Sequence, residues 1–256
     1  MIRIGAILLA LWFGLPPASA QERPPERPDN AVETPAQDMA DAEPGPFADQ
    51  GATFGPPLPP AWWMLRETDA DFTACTQALS RLGAVFSTVD PLTDKADPDC
   101  GIARPIRVTQ ILPGLDLEGG AVMRCATAHA LGLWLRDFVQ PAAALLPDAP
   151  PITGLQLGTT YDCRPRVGTG QDMPKLSEHA LGNAIDIAAI GFDGAEPLVI
   201  QPRSDTGDLS EAFQRTIRSA GCLFFTTVLG PGSNEAHDDH LHLDLAARRG
   251  GWRLCQ

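Results

Sequence analysis

The chain has no cluster of basic residues. Its 19 Lys and Arg are scattered against 32 Asp and Glu, for a formal net charge of −13 over 256 residues. A concentrated positive patch is what attracts phosphate backbones and anionic headgroups, so its absence argues against nucleic acid and anionic lipid as partners. No C-x-x-C pair occurs either, which removes the usual spacing of a structural zinc or a dithiol redox site. The one long apolar run, residues 4–15, is too short to span a bilayer comfortably. Histidine is scarce too, with five in the whole chain.

What is present begins with that run. Arg3 precedes it and Pro16-Pro17-Ala18-Ser19-Ala20 follows, which together make a charged segment, an apolar segment and a small-x-small cleavage signal. Residues 1–20 are therefore expected to be a signal peptide removed after Ala20. The mature chain is then delivered across the inner membrane to the periplasm and keeps no stable membrane span. No Cys follows the cleavage position, which argues against lipid attachment. Residues 21–60 are rich in Pro, Glu, Asp, Ala and Gln, with almost no large apolar side chain before Phe47 and Phe54. Such a segment cannot bury enough surface to offset its ordering entropy, so a disordered, partly polyproline tether is expected. From Ala61 the composition turns globular, and residues 61–256, about 195 in all, suffice for one domain with a sizeable core.

The six cysteines, Cys75, Cys100, Cys125, Cys163, Cys222 and Cys255, all fall in this globular part. An even number behind an export signal reads as three disulfides formed in an oxidising compartment. Proximity along the chain favours Cys75 with Cys100 and Cys222 with Cys255, leaving Cys125 with Cys163.

Periodicity places the elements between them. Residues 73–82 read as a helix stopped by Gly83, and 107–112 as a short strand. Over 125–139, Ala126, Ala130, Leu133, Trp134 and Phe138 fall on one helical stripe, with Gln140-Pro141 closing the helix. His129 lies in that helix near the apolar stripe and is assigned no role. Residues 152–157 read as a strand. Residues 209–220 are amphipathic, with Phe213 and Ile217 on one side, Glu211, Arg215 and Arg218 on the other, and Gly221 as the stop. Phe224, Thr226 and Val228 alternate as in a strand, and residues 229–234 form a loop leading to His237.

Four of the five histidines sit in two short stretches, Leu176-Ser177-Glu178-His179-Ala180-Leu181-Gly182-Asn183-Ala184-Ile185-Asp186 and His237-Asp238-Asp239-His240-Leu241-His242-Leu243-Asp244. In an extended strand His240 and His242 project from one face while Leu241 and Leu243 point into the core. Ala184, Asp186 and Ala188 alternate with Ile185 and Ile187, which puts Asp186 on the small-residue face of a second strand, with His179 just before it. Two imidazoles and one carboxylate on rigid strands form the ligand set of a catalytic Zn²⁺ with an open fourth position. His179, Asp186 and His242 are the expected ligands, and clustering of so few histidines makes a packing role a poor explanation.

The pattern Ser177-x-His179-x-x-Gly182-x-Ala184-x-Asp186 followed by His240-x-His242 resembles the signature of the zinc D-Ala-D-Ala carboxypeptidases and murein endopeptidases, which share their fold with the hedgehog signalling domain. The segment from about Cys75 to Cys255, with Tyr161-Asp162-Cys163-Arg164, Leu229-Gly230-Pro231-Gly232 and residues 237–245 as further matching pieces, more closely resembles the bacterial extensin-like C-terminal domain. The resemblance implies an α+β fold, a small antiparallel sheet with flanking helices of the hedgehog/DD-peptidase kind, stapled by disulfides. It implies hydrolysis of peptidoglycan stem peptides or crosslinks, with Arg164, or its rival Arg166, binding a substrate carbonyl or carboxylate. His240, His237 and Asp239 are all left as candidates for the catalytic base. Asp239 stands where the carboxypeptidases carry an acid, usually the longer Glu. Ser177 is expected to support the first ligand. A zinc-containing wall-binding domain without turnover is the competing expectation.

Overall fold

The computed structural model describes residues 58–148, 150–203 and 205–256. The expected signal peptide and nearly all of the expected tether lie outside the described residues. The chain enters through one helical turn, α1 (Ala61–Met64), and α2 (Asp69–Leu82). Thr68 caps α2 by accepting from the Asp71 N–H at 3.1 Å, and Asp69 and Asp71 favour its positive end, so the helix starts earlier than the apolar spacing predicts. Gly83, at φ 80°, ends it in the left-handed conformation as expected.

Short strands β1 (Val85–Thr88), β2 (Leu92–Thr93) and β3 (Gly101–Ile102) follow, then a long hairpin of β4 (Pro105–Leu112) and β5 (Leu115–Arg124). After it come α3 (Cys125–Trp134), a π-helical turn over Leu135–Val139 and α4 (Gln140–Ala143). The helix does not close at Gln140-Pro141. The wide π turn leads into a new first turn, where proline's missing N–H costs nothing. Nor does α3 show a single apolar stripe. Cys125, Thr127, Ala128, Ala130, Leu131, Gly132 and Trp134 are buried nearly all round, because α3 lies between α2 and the sheet.

The second half comprises β6 (Ile152–Leu157), a 3₁₀ turn (Glu178–Leu181), β7 (Ala184–Phe192), β8 (Ala195–Val199), α5 (Leu209–Gly221), β9 (Thr227–Leu229), a 3₁₀ turn (Glu235–His237), β10 (Leu241–Asp244) and β11 (Leu254–Cys255). Asp208 caps α5 by accepting from the Glu211 N–H at 2.8 Å. The Glu211 carboxylate reaches back to the Thr206 hydroxyl and the Gly207 N–H, both at 2.9 Å. Glu211 is therefore buried in a cap, not exposed on the polar face that the helical wheel predicts.

The architecture is α+β, but the sheet is neither small nor purely antiparallel. Nine strands run in the order β1-β4-β5-β6-β7-β10-β9-β11, with β8 on the far half of β7, and both β5–β6 and β9–β11 are parallel pairs. β5 escapes a sequence reading because Gly119 and Gly120, both at positive φ, form a bulge in its middle and break the period-2 pattern. Isoleucines and leucines of β7 and β10, including Ile185, Ile187, Leu241 and Leu243, join α3 and α5 in one hydrophobic core. The Trp134 indole N–H ties α3 to α5 through the Ile217 carbonyl at 2.9 Å. Among the described residues no helix is long and apolar enough to cross a membrane.

Three disulfides staple this fold: Cys75–Cys125, Cys100–Cys163 and Cys222–Cys255. Only the last matches the expectation. The Cys75–Cys100 and Cys125–Cys163 pairings are wrong because the β4–β5 hairpin reverses the chain between Cys100 and Cys125. That reversal lays Cys125, at the start of α3, against Cys75 on α2.

Candidate metal centre

Strand alternation builds the floor of the site. β7 and β10 are antiparallel neighbours in which Asp186 and His242 are direct cross-strand partners. With the Ile and Leu residues committed to the core, Asp186, Ala188, His242 and Asp244 face the opposite side, where they line a cleft of about 610 Å³. His179 arrives from the 3₁₀ turn just before β7. That turn is capped by Ser177, whose hydroxyl accepts from the His179 backbone N–H at 3.4 Å. Ser177 thus supports the turn carrying the ligand, not its ring.

Gly182 ends the turn at φ 62°, and a Cβ there would lie 2.3 Å from the Ile102 Cδ1. Only glycine satisfies both the backbone and the packing. Gly158 has a related role. Its N–H donates to the Asp186 carbonyl at 2.9 Å, and a Cβ on it would meet the Asp186 Cβ at 3.0 Å.

The three expected ligands converge. His179 Nε2 lies 3.1 Å from His242 Nδ1 and 3.2 Å from Asp186 Oδ1, and His242 Nδ1 lies 2.9 Å from the same oxygen. Each ring is held through its other nitrogen. His179 Nδ1 is 3.0 Å from the Thr160 carbonyl, which can only accept, so Nδ1 carries the hydrogen and Nε2 the lone pair. His242 Nε2 is 3.0 Å from Asp244 Oδ2, so Nε2–H donates there and Nδ1 faces the cluster. Three acceptor atoms this close repel one another unless a proton or a cation lies among them, so the donor set fits a metal ion.

The charges tell the same story. Burial alone would raise the Asp186 carboxyl, but its bonds to His179 and His242 hold it well below the usual carboxylate range. Burial alone would lower His242, but Asp186 and Asp244 together push it up to about 9. In the metal-free protein His242 therefore carries a proton at neutral pH, which an incoming cation must displace. Asp97, Cys100 and Cys163 also lie close together, but the two sulfurs are joined in a disulfide and cannot act as thiolate ligands.

The other expected site residues line the same cleft. The Asn234 Oδ1 accepts from the Ala236 N–H at 3.1 Å, which identifies it as oxygen. It also accepts from His237 Nδ1 at 2.7 Å. His237 Nε2 is left with its lone pair, and burial, His242 and His240 lower its pKa to about 4, so it is neutral near pH 7. His240 Nδ1 pairs with Asp239 Oδ1 at 2.7 Å, and its Nε2 lies 3.6 Å from Asp186 Oδ1. Asp239 is 91% exposed at its side chain and bonds to His240, so it orients that ring.

Both candidate arginines are present. Arg166 donates to the Leu176 carbonyl at 3.2 Å and to Glu178 at 2.9 Å. Arg164 donates through Nε to Asp162 at 3.0 Å and through Nη1 to the Pro165 carbonyl at 3.4 Å, leaving Nη2 without a protein acceptor among the described residues. Arg166 Nη1 likewise has no protein acceptor among the described residues, so each arginine keeps one terminal nitrogen for a ligand.

Sequence reasoning missed two members of this centre. Asp244 has a signal, since it stands two residues after His242 and must share its face. The Thr160 carbonyl has none, because any residue supplies one.

A family described as "Extensin-like protein C-terminus" matches residues 73–256. No curated protein and no solved structure matches the chain.

Proposed function

Because the chain belongs to the extensin-like C-terminal family, whose match spans residues 73–256, we propose that it is a zinc-dependent peptidase acting on the stem peptides or crosslinks of peptidoglycan. Kinship with the zinc D-Ala-D-Ala carboxypeptidases and murein endopeptidases, and with their hedgehog-like fold, is part of the proposal. So is an oxidising location beyond the inner membrane, which suits three disulfides. The single observation that carries it is the meeting of His179 Nε2, His242 Nδ1 and Asp186 Oδ1 within 3.2 Å on the floor of a large cleft.

A zinc ion held by these three residues supplies Lewis acidity, polarising a carbonyl and lowering the pKa of a water towards about 7. The chain's own groups do the rest. His237, neutral and fixed by Asn234, accepts a proton at Nε2. That proton, taken from the attacking water, passes from His237 to the leaving amine as the C–N bond breaks, while His240, oriented by Asp239, presents Nε2 beside Asp186 on the rim of the centre. Arg164 holds a substrate carbonyl or carboxylate with its free Nη2. The competing reading, a zinc-containing wall-binding domain without turnover, draws on the exposed Asp239 turned to His240.

Digestion of purified sacculi by the mature protein separates the two. Released cleaved muropeptides, abolished by a chelator and restored by zinc, are expected; stoichiometric zinc with intact stems and crosslinks would leave only the binding domain. Asp244→Asn gives a second check. It keeps the shape but withdraws the carboxylate from His242, so zinc affinity is expected to fall about tenfold to a hundredfold with the melting temperature of the loaded protein following it. Unchanged affinity in a metal-competition titration would show that Asp244 does not tune the ligand.

A further inference from the structure

The cleft extends past the three ligands. Across the sheet from His242 and Asp244 its lining continues to Thr227 and Leu229 on β9 and to Leu254 and Gln256 at the far edge, with Arg248 above them. Three arginines line this cleft. Arg164 and Arg166 are ion-paired to Asp162 and Glu178, whereas Arg248 has no carboxylate partner among the described residues.

The Arg248 guanidinium is nevertheless held in place. Its Nη2 donates to the buried Thr227 hydroxyl, and its Cζ lies over the ring of Trp252, 5.1 Å from the ring centre; Trp252 is 58% exposed. Its Nε–H is buried and has no acceptor among the described residues. A buried donor without a partner costs free energy, and a guanidinium held by a cation–π contact and one hydrogen bond is preorganised to offer a ligand oxygen the donors that line the cleft. In a chain of net charge −13 such a group is a specific anion point, not part of a general positive field.

We propose that Arg248, braced by Thr227 and Trp252, is a second substrate subsite that binds a free carboxylate of the peptide. It rests on the peptidase reading for the nature of its ligand. Thr227 pairs with Asp244, which lies two residues from His242, so strand spacings put the subsite roughly 8 Å from the metal ligands. An extended peptide covers that distance in two to three residues, at roughly 3.3 Å each. The subsite therefore selects peptides with an unamidated carboxylate at that remove from the bond cleaved. The planar carboxylate suits the forked donors of arginine, and lysine should replace it poorly.

The test measures binding as well as turnover. The zinc-loaded full chain is titrated by calorimetry with a linear stem peptide bearing free carboxylates, and with the same peptide amidated at those groups. Arg248→Gln is expected to weaken binding of the acid form about tenfold or more and to leave the amidated form unchanged, with Arg248→Lys between them. Zinc content and melting temperature report on the fold, and Arg248→Lys serves if the Gln variant melts early. Equal affinity of the wild-type chain for both peptides, no binding of either, or an equal loss for both in the variant, overturns the subsite. Cleavage of sacculi with an Arg248→Gln variant of unchanged KM for the acid peptide sinks the subsite and spares the peptidase. An Arg248-dependent preference without any cleavage does the reverse.

Discussion

His179→Ala should abolish both zinc retention and the cleavage of sacculi while leaving the disulfide-stapled domain folded. The ring is fully buried, and its Nε2 is one of three atoms within 3.2 Å of one another. Removing it leaves one imidazole and one carboxylate, too few to compete for zinc with solvent. The fold should survive because the turn is held by Ser177, Gly182 and backbone bonds instead of the ring. Metal content by mass spectrometry and muropeptide release are the two readouts, with circular dichroism as the control. Full zinc content in a folded variant would remove His179 from the ligand set, and with it the hydrolytic mechanism.

The second large effect concerns Cys100–Cys163. This bridge closes a span of 63 residues and fastens the segment just before Arg164 to β3. Loop-closure entropy puts its contribution at about 4 kcal/mol, and a domain of this size should lose on the order of 10 °C in melting temperature when both cysteines become alanine. Because Arg164 is the next residue after Cys163, the variant should also bind peptide more weakly while keeping its zinc. Calorimetry and a KM measurement on the intact double variant check both. A melting temperature within a degree or so of wild type would show that the β-sheet alone holds that wall.

Much of the candidate site was legible because it rests on local periodicity. The period of two puts Asp186 and His242 each on the polar face of its own strand, and the sheet makes them cross-strand partners. The helix stops at Gly83 and the amphipathic helix from Leu209 were readable for the same reason, since capping and apolar spacing act within a few residues. Arg164 and Arg166 could not be separated in sequence. The structure pairs Arg164 with Asp162, two residues away, and Arg166 with Glu178, twelve residues away, and leaves each with one terminal nitrogen unbonded among the described residues.

The rest needed distant segments to meet. The extent of the sheet depended on β5, whose two central glycines hide it. The pairing of Cys75 with Cys125 depended on a hairpin reversing the chain between Cys100 and Cys125. The partly buried polar chain from Glu67 through Arg124 and Asn183 to Glu178 and Arg166 likewise joins residues up to 59 apart in sequence.

By itself the sequence determined which side chains could face a metal, because a strand's alternation and a glycine's left-handed turn are properties of a few adjacent residues. Only the tertiary structure decided that the Thr160 carbonyl aims the His179 ring, which sulfurs pair, and that Arg248 reaches the same cleft. Those outcomes depend on how distant segments close on one another, a matter of packing and hydrogen-bond geometry that no local pattern contains.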